Sequence, residues 1–125
     1  MGSPAEFAVR VAVETGRLLG EYFRQPDLPA TWKTDRTLLT EADLAADRFI
    51  TQAIQNTYPD DLLLSEENIQ GIEAIITESA ERVVWVRDPL DGTTNFSLGL
   101  PVWGTLITRL VNGWPETTVL NFPLL

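Results

Sequence analysis

Trp85-Val86-Arg87-Asp88-Pro89-Leu90-Asp91-Gly92-Thr93-Thr94-Asn95-Phe96 is the stretch from which the rest of the chain is best read. Together with Val83 and Val84, its opening residues are β-branched or aromatic and predict a strand. That strand runs into two aspartates three residues apart, around an expected proline turn. Gly92-Thr93-Thr94 follows, with hydroxyls suited to opening a helix or turn. Asp88 and Asp91 can converge on one side of such a turn. The backbone N–H groups after them would then face the same space, an anion pocket beside a cation pocket. Two converging carboxylates repel by about 4 kcal/mol at roughly 4 Å for an effective dielectric near ~20, which favours a bound cation or a raised pKa. An Asp-Pro turn followed by an ordinary threonine cap would give the same letters.

Downstream, Trp103 to Val111 predicts a strand, Asn112-Gly113 a hairpin turn, and Thr117 to Phe122 the returning strand. Upstream, Ala8, Val11, Ala12, Leu18, Leu19, Tyr22 and Phe23 recur at helical steps, so Glu6 to Phe23 is expected to be an amphipathic helix. It should stop before the breaker cluster Pro26-Asp27-Leu28-Pro29. Trp32 to Leu39 reads as short and β-leaning, a hairpin with Asp35-Arg36 at its turn. A second helix is expected from Thr40, as N-cap with Asp43 three positions on, to Tyr58-Pro59. Leu44, Phe49, Ile50, Ala53 and Ile54 would carry its apolar face. Leu62-Leu63-Leu64 reads as a buried strand, and 68–82 as a connecting loop with a short helix. The pattern is that of one α+β unit over residues 1–125, with two helices on a mainly antiparallel sheet.

Composition narrows the chemistry. The 125 residues contain no cysteine and no histidine. Thiolate catalysis, zinc–sulfur sites, imidazole ligation and a Ser-His-Asp triad are therefore excluded. What remains is carboxylate, hydroxyl, lysine and arginine, with a hard cation that prefers oxygen. The net charge of -9 disfavours a nucleic-acid polymer or an anionic membrane as partner. A phosphate ester would be repelled too, unless cations reverse the sign locally. There is no apolar run long enough to span a bilayer and no signal-peptide layout at Met1-Gly2-Ser3-Pro4, so a cytoplasmic protein is expected.

Two further acidic places stand out. Glu66-Glu67 directly follows the Leu62–Leu64 strand, although such pairs are commonly solvated loop residues. Asp43 belongs to Thr40-Glu41-Ala42-Asp43, which a helix cap explains equally well. Lys33, by itself, is a surface lysine.

In order and spacing, Lys33-x-Asp35, Thr40-x-Ala42-Asp43, Glu66-Glu67 and Asp88-Pro89-Leu90-Asp91-Gly92-Thr93-Thr94-Asn95-Phe96 together resemble the inositol monophosphatase family. The resemblance runs over essentially the whole chain, and Gly104 and Asn112-Gly113 fall where the family places its later strands. It implies the N-terminal lobe of the layered αβαβα sugar-phosphatase fold. It implies magnesium, with manganese as an alternative, held by Glu66, Asp88, the Leu90 carbonyl and Thr93, and a second ion held by Asp88 and Asp91. Gly92, Thr93 and Thr94 would bind the phosphate. Asp43 and Thr93 would orient or deprotonate the attacking water with Glu66 close by, and Lys33 and Glu67 would support the site. Two positions depart from the family's habit: Ser65 where glycine is common, and Asp47 where glutamate is usual.

Family members are typically about twice this long and carry a Trp-Asp motif in their second half; no Trp-Asp pair occurs here. The expected function is magnesium-dependent hydrolysis of a small phosphate monoester of inositol, a sugar, histidinol or a nucleotide, with turnover needing that second half. The Lys33 to Thr37 spacing leans towards the histidinol or nucleotide branch. The alternative is a non-catalytic, truncated paralogue acting as a metal-binding or assembly module. A homodimer or higher oligomer is expected, formed through strand edges and apolar residues such as Trp103, Leu106 and Phe122.

Overall fold

Ser3, Pro4 and Glu6 begin the first helix, and each has a physical reason to be there. The Ser3 carbonyl accepts the Phe7 N–H at 2.9 Å and its hydroxyl accepts the Glu6 N–H at 3.2 Å. Pro4 occupies the first helical position, where a missing N–H costs nothing. The structure, a computed structural model, describes residues 2–23, 32–65 and 82–125, with backbone alone for 32–38 and 65. Helix α1 spans Pro4–Phe23 and buries Phe7, Ala8, Val11, Ala12, Thr15, Gly16, Leu19 and Gly20, a single stripe with a helical period. The breaker cluster 26–29 lies outside the described residues.

Helix α2 spans Trp32–Thr57 without interruption. The expected hairpin over Trp32–Leu39 does not form, and Thr40 sits inside the helix rather than capping it. No glycine or proline interrupts 32–57, and the helical path lets Leu39 pack beside Ala42 in the core; burial overrides the local β preference. The buried stripe is Ala42, Ala46, Ile50 and Ile54, at steps of four. Leu44, expected on that face, is 56% exposed. The helix ends just before Tyr58-Pro59, as expected.

Strands β1 (Leu62–Ser65), β2 (Val83–Asp91), β3 (Gly104–Val111) and β4 (Trp114–Asn121) form one sheet in the order β1-β2-β3-β4. β1 and β2 are parallel; the other neighbours are antiparallel. The segment expected to connect Asn68 with Arg82 lies outside the described residues, apart from Arg82. A short helix, α3 (Thr93–Ser97), joins β2 towards β3. Asn112 at φ 51° and Gly113 at φ 81° make the tight β3–β4 turn that Asn-Gly predicts.

Two apolar clusters show how the layers align. Phe7, Ala8, Val11 and Ala12 of α1 meet Ile50 and Ile54 of α2, Trp85 of β2 and Ile107 of β3. Further along, Leu19 meets Ala42 and Ala46, Leu90, Phe96 and Trp103. Thus α1 runs alongside β2 in the same direction, while α2 runs the opposite way. The stretch of α2 from Leu39 to Ala46 and the end of β2 lie at one end of the sheet.

Trp103 is fully buried there, its ring 5.1 Å from Phe96 and 5.3 Å from Phe23. It is therefore not the exposed apolar contact that the sequence suggested, and Leu106 and Phe122 are only partly exposed. The large apolar side chains that do face outward include Leu98, Leu100, Val102, Trp114 and Leu120. Among the described residues no helix is long and apolar enough to cross a membrane.

Candidate metal and phosphate site

The proline turn expected at Asp88-Pro89 is instead a bulge within β2. Asp88 pairs with Leu106 and Asp91 with Gly104, so Pro89 and Leu90 together oppose only Thr105. Proline has no N–H to give to a ladder, and a bulge is where a strand tolerates it. The Thr105 hydroxyl, buried, donates to the Pro89 carbonyl at 3.0 Å and holds the extra residue in place.

The bulge has a consequence for the acids. In a regular strand, residues three apart point to opposite faces. Here the two aspartates oppose Leu106 and Gly104, which are two apart and therefore share a face. The inserted residue accordingly brings Asp88 and Asp91 to the same side of the sheet. Between them Leu90 is buried against Leu19, Ala42, Ala46, Phe96 and Trp103, which fixes the backbone under both carboxylates.

β2 ends at Asp91 and the chain turns through Gly92, at φ 85° and ψ 41°, into α3. The Gly92 carbonyl accepts the Phe96 N–H at 3.0 Å. The first N–H groups of any such helix have no acceptor within it, so those of Thr93 and Thr94 are open to an outside one. Thr93 and Thr94 are exposed. The Asn95 side-chain amide donates to the Val102 carbonyl at 2.9 Å and ties α3 to the start of β3.

No residue but glycine suits position 92. A Cβ there would lie 2.7 Å from the Val102 carbonyl oxygen and 3.2 Å from the Trp103 Cα, both backbone atoms. Gly92→Ala is expected to cost about 1–2 kcal/mol for the left-handed conformation, with further loss from the overlap. A lower urea midpoint with an unchanged slope would show it; an unchanged midpoint would contradict the turn geometry.

The other expected site residues are placed as follows. Asp43 lies in the first half of α2, close to its middle, partly buried, at the end of the sheet where the bulge lies. Lys33 is in the first turn of α2, with its backbone alone described. Glu66 and Glu67 lie outside the described residues; Ser65, the last of β1, pairs with Arg87 of β2. Among the described residues no three acidic side chains come close enough to form a metal-binding group. The structure therefore brings Asp88, Asp91, Gly92 and Thr93 together at a strand end, and Asp43 does not complete a three-carboxylate cluster with the two aspartates. The donors there are all oxygens, which fits a hard cation such as magnesium.

Sequence reasoning passed over two residues beside the site. Arg87 Nε donates to Asp47 Oδ1 at 2.9 Å, joining β2 to α2. Thr105 holds the bulge. The available signal was an arginine in an otherwise apolar strand and a threonine among buried neighbours.

Paired helices on one side of a mixed sheet, with two acids gathered by a bulge at a strand end and a short helix directly after them, define this class of α+β protein. The chain belongs to the inositol monophosphatase family, whose model matches residues 3–125. It is 36% identical over 120 residues to the histidinol-phosphatase of Chlorobaculum parvum, covering 96% of this chain and 44% of that protein. It is 34% identical to the Nus factor SuhB of Pasteurella multocida, covering 99% of this chain and 45% of that protein. Among solved structures, inositol monophosphatase II of Staphylococcus aureus superposes with a TM-score of 0.73 at 28% identity, over 92% of this chain and 40% of that one. The SuhB protein of Bartonella henselae, with a TM-score of 0.74 at 24% identity over 95% of this chain and 43% of that one, shares the fold. The chain spans less than half the length of the curated relatives it matches.

Proposed function

We propose that this chain carries the metal- and phosphate-binding part of a magnesium-dependent phosphatase acting on a small phosphate monoester. The observation that carries this reading is the bulge that places Asp88 and Asp91 on one face, directly before the Gly92 turn. Glu66, Asp88, the Leu90 carbonyl and Thr93 would hold one ion, and Asp88 and Asp91 would share a second, with manganese able to replace magnesium. When bound, such ions supply positive charge that activates water and stabilises the attacking and leaving oxygens of an in-line displacement. The N–H groups of Gly92, Thr93 and Thr94 orient the phosphate. Thr93 and Asp43 orient the attacking water, and its proton passes to the Asp43 carboxylate. Water oxygen bonds to phosphorus as the ester P–O bond breaks, and the leaving oxygen takes a proton from solvent, giving inorganic phosphate and the free alcohol. Lys33 and Glu67 support the site. The substrate class is inositol, sugar, histidinol or nucleotide phosphates, and similarity to two histidinol-phosphatases favours the histidinol ester. The protein works in the cytoplasm as a homodimer or higher oligomer.

Calorimetry with millimolar magnesium should give a saturable signal that is lost in an Asp88→Asn, Glu66→Gln double variant. Equal signals from parent and variant would overturn the metal assignment. Phosphate release from a panel of inositol, sugar, histidinol and nucleotide monophosphates, with and without magnesium, tests the reaction.

A second reading is a non-catalytic assembly module, which similarity to proteins named as Nus factors supports. Magnesium binding without phosphate release from any ester, by the product of the full reading frame, would favour it.

A further inference from the structure

Arg87 is one of three buried polar side chains among the described residues, the others being Thr15 and Thr105. It interrupts a strand that otherwise reads Val83-Val84-Trp85-Val86, and it faces α2, where its Nε donates to Asp47 Oδ1 at 2.9 Å across 40 residues of sequence. A methionine or leucine would fill such a place without the desolvation cost of a charge, and buried ion pairs are often no better for stability than apolar side chains of similar volume. Packing alone therefore does not account for the pair.

Its location is informative. Arg87 immediately precedes Asp88. In the sheet it pairs with Ile107 of β3 and with Ser65 of β1, the residue before Glu66. Asp47 stands one helical turn after Asp43 on α2, so both lie on the same side of that helix. Because α2 runs opposite to β2, sliding the helix along the sheet would move Asp43 relative to the bulge. The Ala42, Ala46, Ile50 and Ile54 stripe is smooth and repeats every four residues, and apolar contacts of this kind are not directional. A hydrogen-bonded ion pair is directional, and it fixes the sliding coordinate.

We propose that Asp47 and Arg87 are positioning residues: their ion pair locks α2 against β2 directly before Asp88, so that the Asp88 carboxylate and the Leu90 carbonyl keep the spacing a cation needs, with Asp43 at a set height beside them. This rests on the metal site proposed above. The pair also neutralises Arg87 internally, so its positive charge does not compete with a cation at the neighbouring Asp88.

The test compares magnesium affinity by calorimetry with thermal unfolding, for the parent, an Asp47→Leu, Arg87→Met double variant, Asp47→Asn and Asp47→Glu. A merely structural pair would be replaced by the apolar double variant with no effect on metal binding. The expected result is a double variant that unfolds close to the parent temperature but binds magnesium about 10- to 100-fold more weakly. Asp47→Asn, which removes the charge from a half-exposed position, should weaken binding about tenfold, with Asp47→Glu restoring it. Parent-like affinity in the double variant overturns the proposal. If the double variant fails to fold, parent-like affinity in Asp47→Asn overturns it instead. A parent that binds no magnesium removes the metal site and this inference together, whereas a binding parent with unaffected variants removes this inference alone.

Discussion

Trp85→Ala lowers the free energy of unfolding by about 3–5 kcal/mol, the largest stability loss expected of any single substitution in the sheet. Trp85 is fully buried in the cluster that joins both helices to β2 and β3. Its ring lies 5.6 Å from Phe7 and 5.4 Å from Tyr58, and the Arg109 guanidinium sits 5.8 Å above it. Its indole N–H donates to Asp61 Oδ2 at 2.9 Å. Alanine would remove the ring contacts, leave a cavity and strand the Asp61 acceptor. Phenylalanine keeps most of the apolar volume and loses only the indole edge, so Trp85→Phe should cost clearly less. Urea unfolding followed by circular dichroism measures both. A loss below about 1 kcal/mol for Trp85→Ala would mean that the cluster closes over the gap, contrary to the close packing expected of such interiors.

Asp88→Asn in the product of the full reading frame is expected to reduce kcat/KM for its best phosphate ester by about a hundredfold to a thousandfold. Asp88 is the one carboxylate that the proposed scheme assigns to both ions, so its loss weakens charge stabilisation at the attacking and leaving oxygens together. The substitution keeps the volume and leaves the bulge hydrogen bond from Thr105 to Pro89 untouched, so the bulge should keep its shape. Glu116→Gln serves as the control: it removes an exposed acid on the β4 hairpin, paired with Arg109 and remote from the bulge. Activity in Asp88→Asn within tenfold of the parent, at saturating magnesium, would remove Asp88 from the mechanism.

Local chemistry was legible where a residue leaves the backbone few options. Asn112-Gly113 reads as a tight turn, and Gly92-Thr93-Thr94 after a strand reads as the opening of a helix or turn. The apolar run before Asp88 read directly as β2, and the stripe on α1 read directly as a helix. Other features depended on partners remote in sequence. The β-leaning letters of 32–39 became helix because Leu39 and Ala42 find a core made by α1, α3 and Trp103. Trp103 itself looked like an interface residue, since nothing in its neighbours announces Phe23, 80 positions earlier, as its packing partner. Asp88 and Asp91 were recognisable as a pair, but the device that aligns them was not: a proline turn and a bulge share the same letters, and only the β3 register separates them. Ser3-Pro4-x-Glu6 is a capping pattern, and it starts the helix at Pro4, two residues before the first position that the apolar spacing marks.

The bulge gives the chain a length constraint that differs from its chemical ones. β2 carries the acids, β3 sets which face they share, and the only chain between the two is the segment from Gly92 to Trp103. That segment also presents the N–H groups of Thr93 and Thr94. Leu98, Leu100 and Val102 in it are outward-facing and free to vary in kind, whereas Gly99, at φ 77°, is held to glycine by its backbone. As a surface loop the segment also absorbs a change of length more readily than the strands do, so the count that must hold is local: Pro89 and Leu90 facing Thr105 alone. Over evolutionary time the loop would drift in sequence and in length while that two-against-one count stayed fixed.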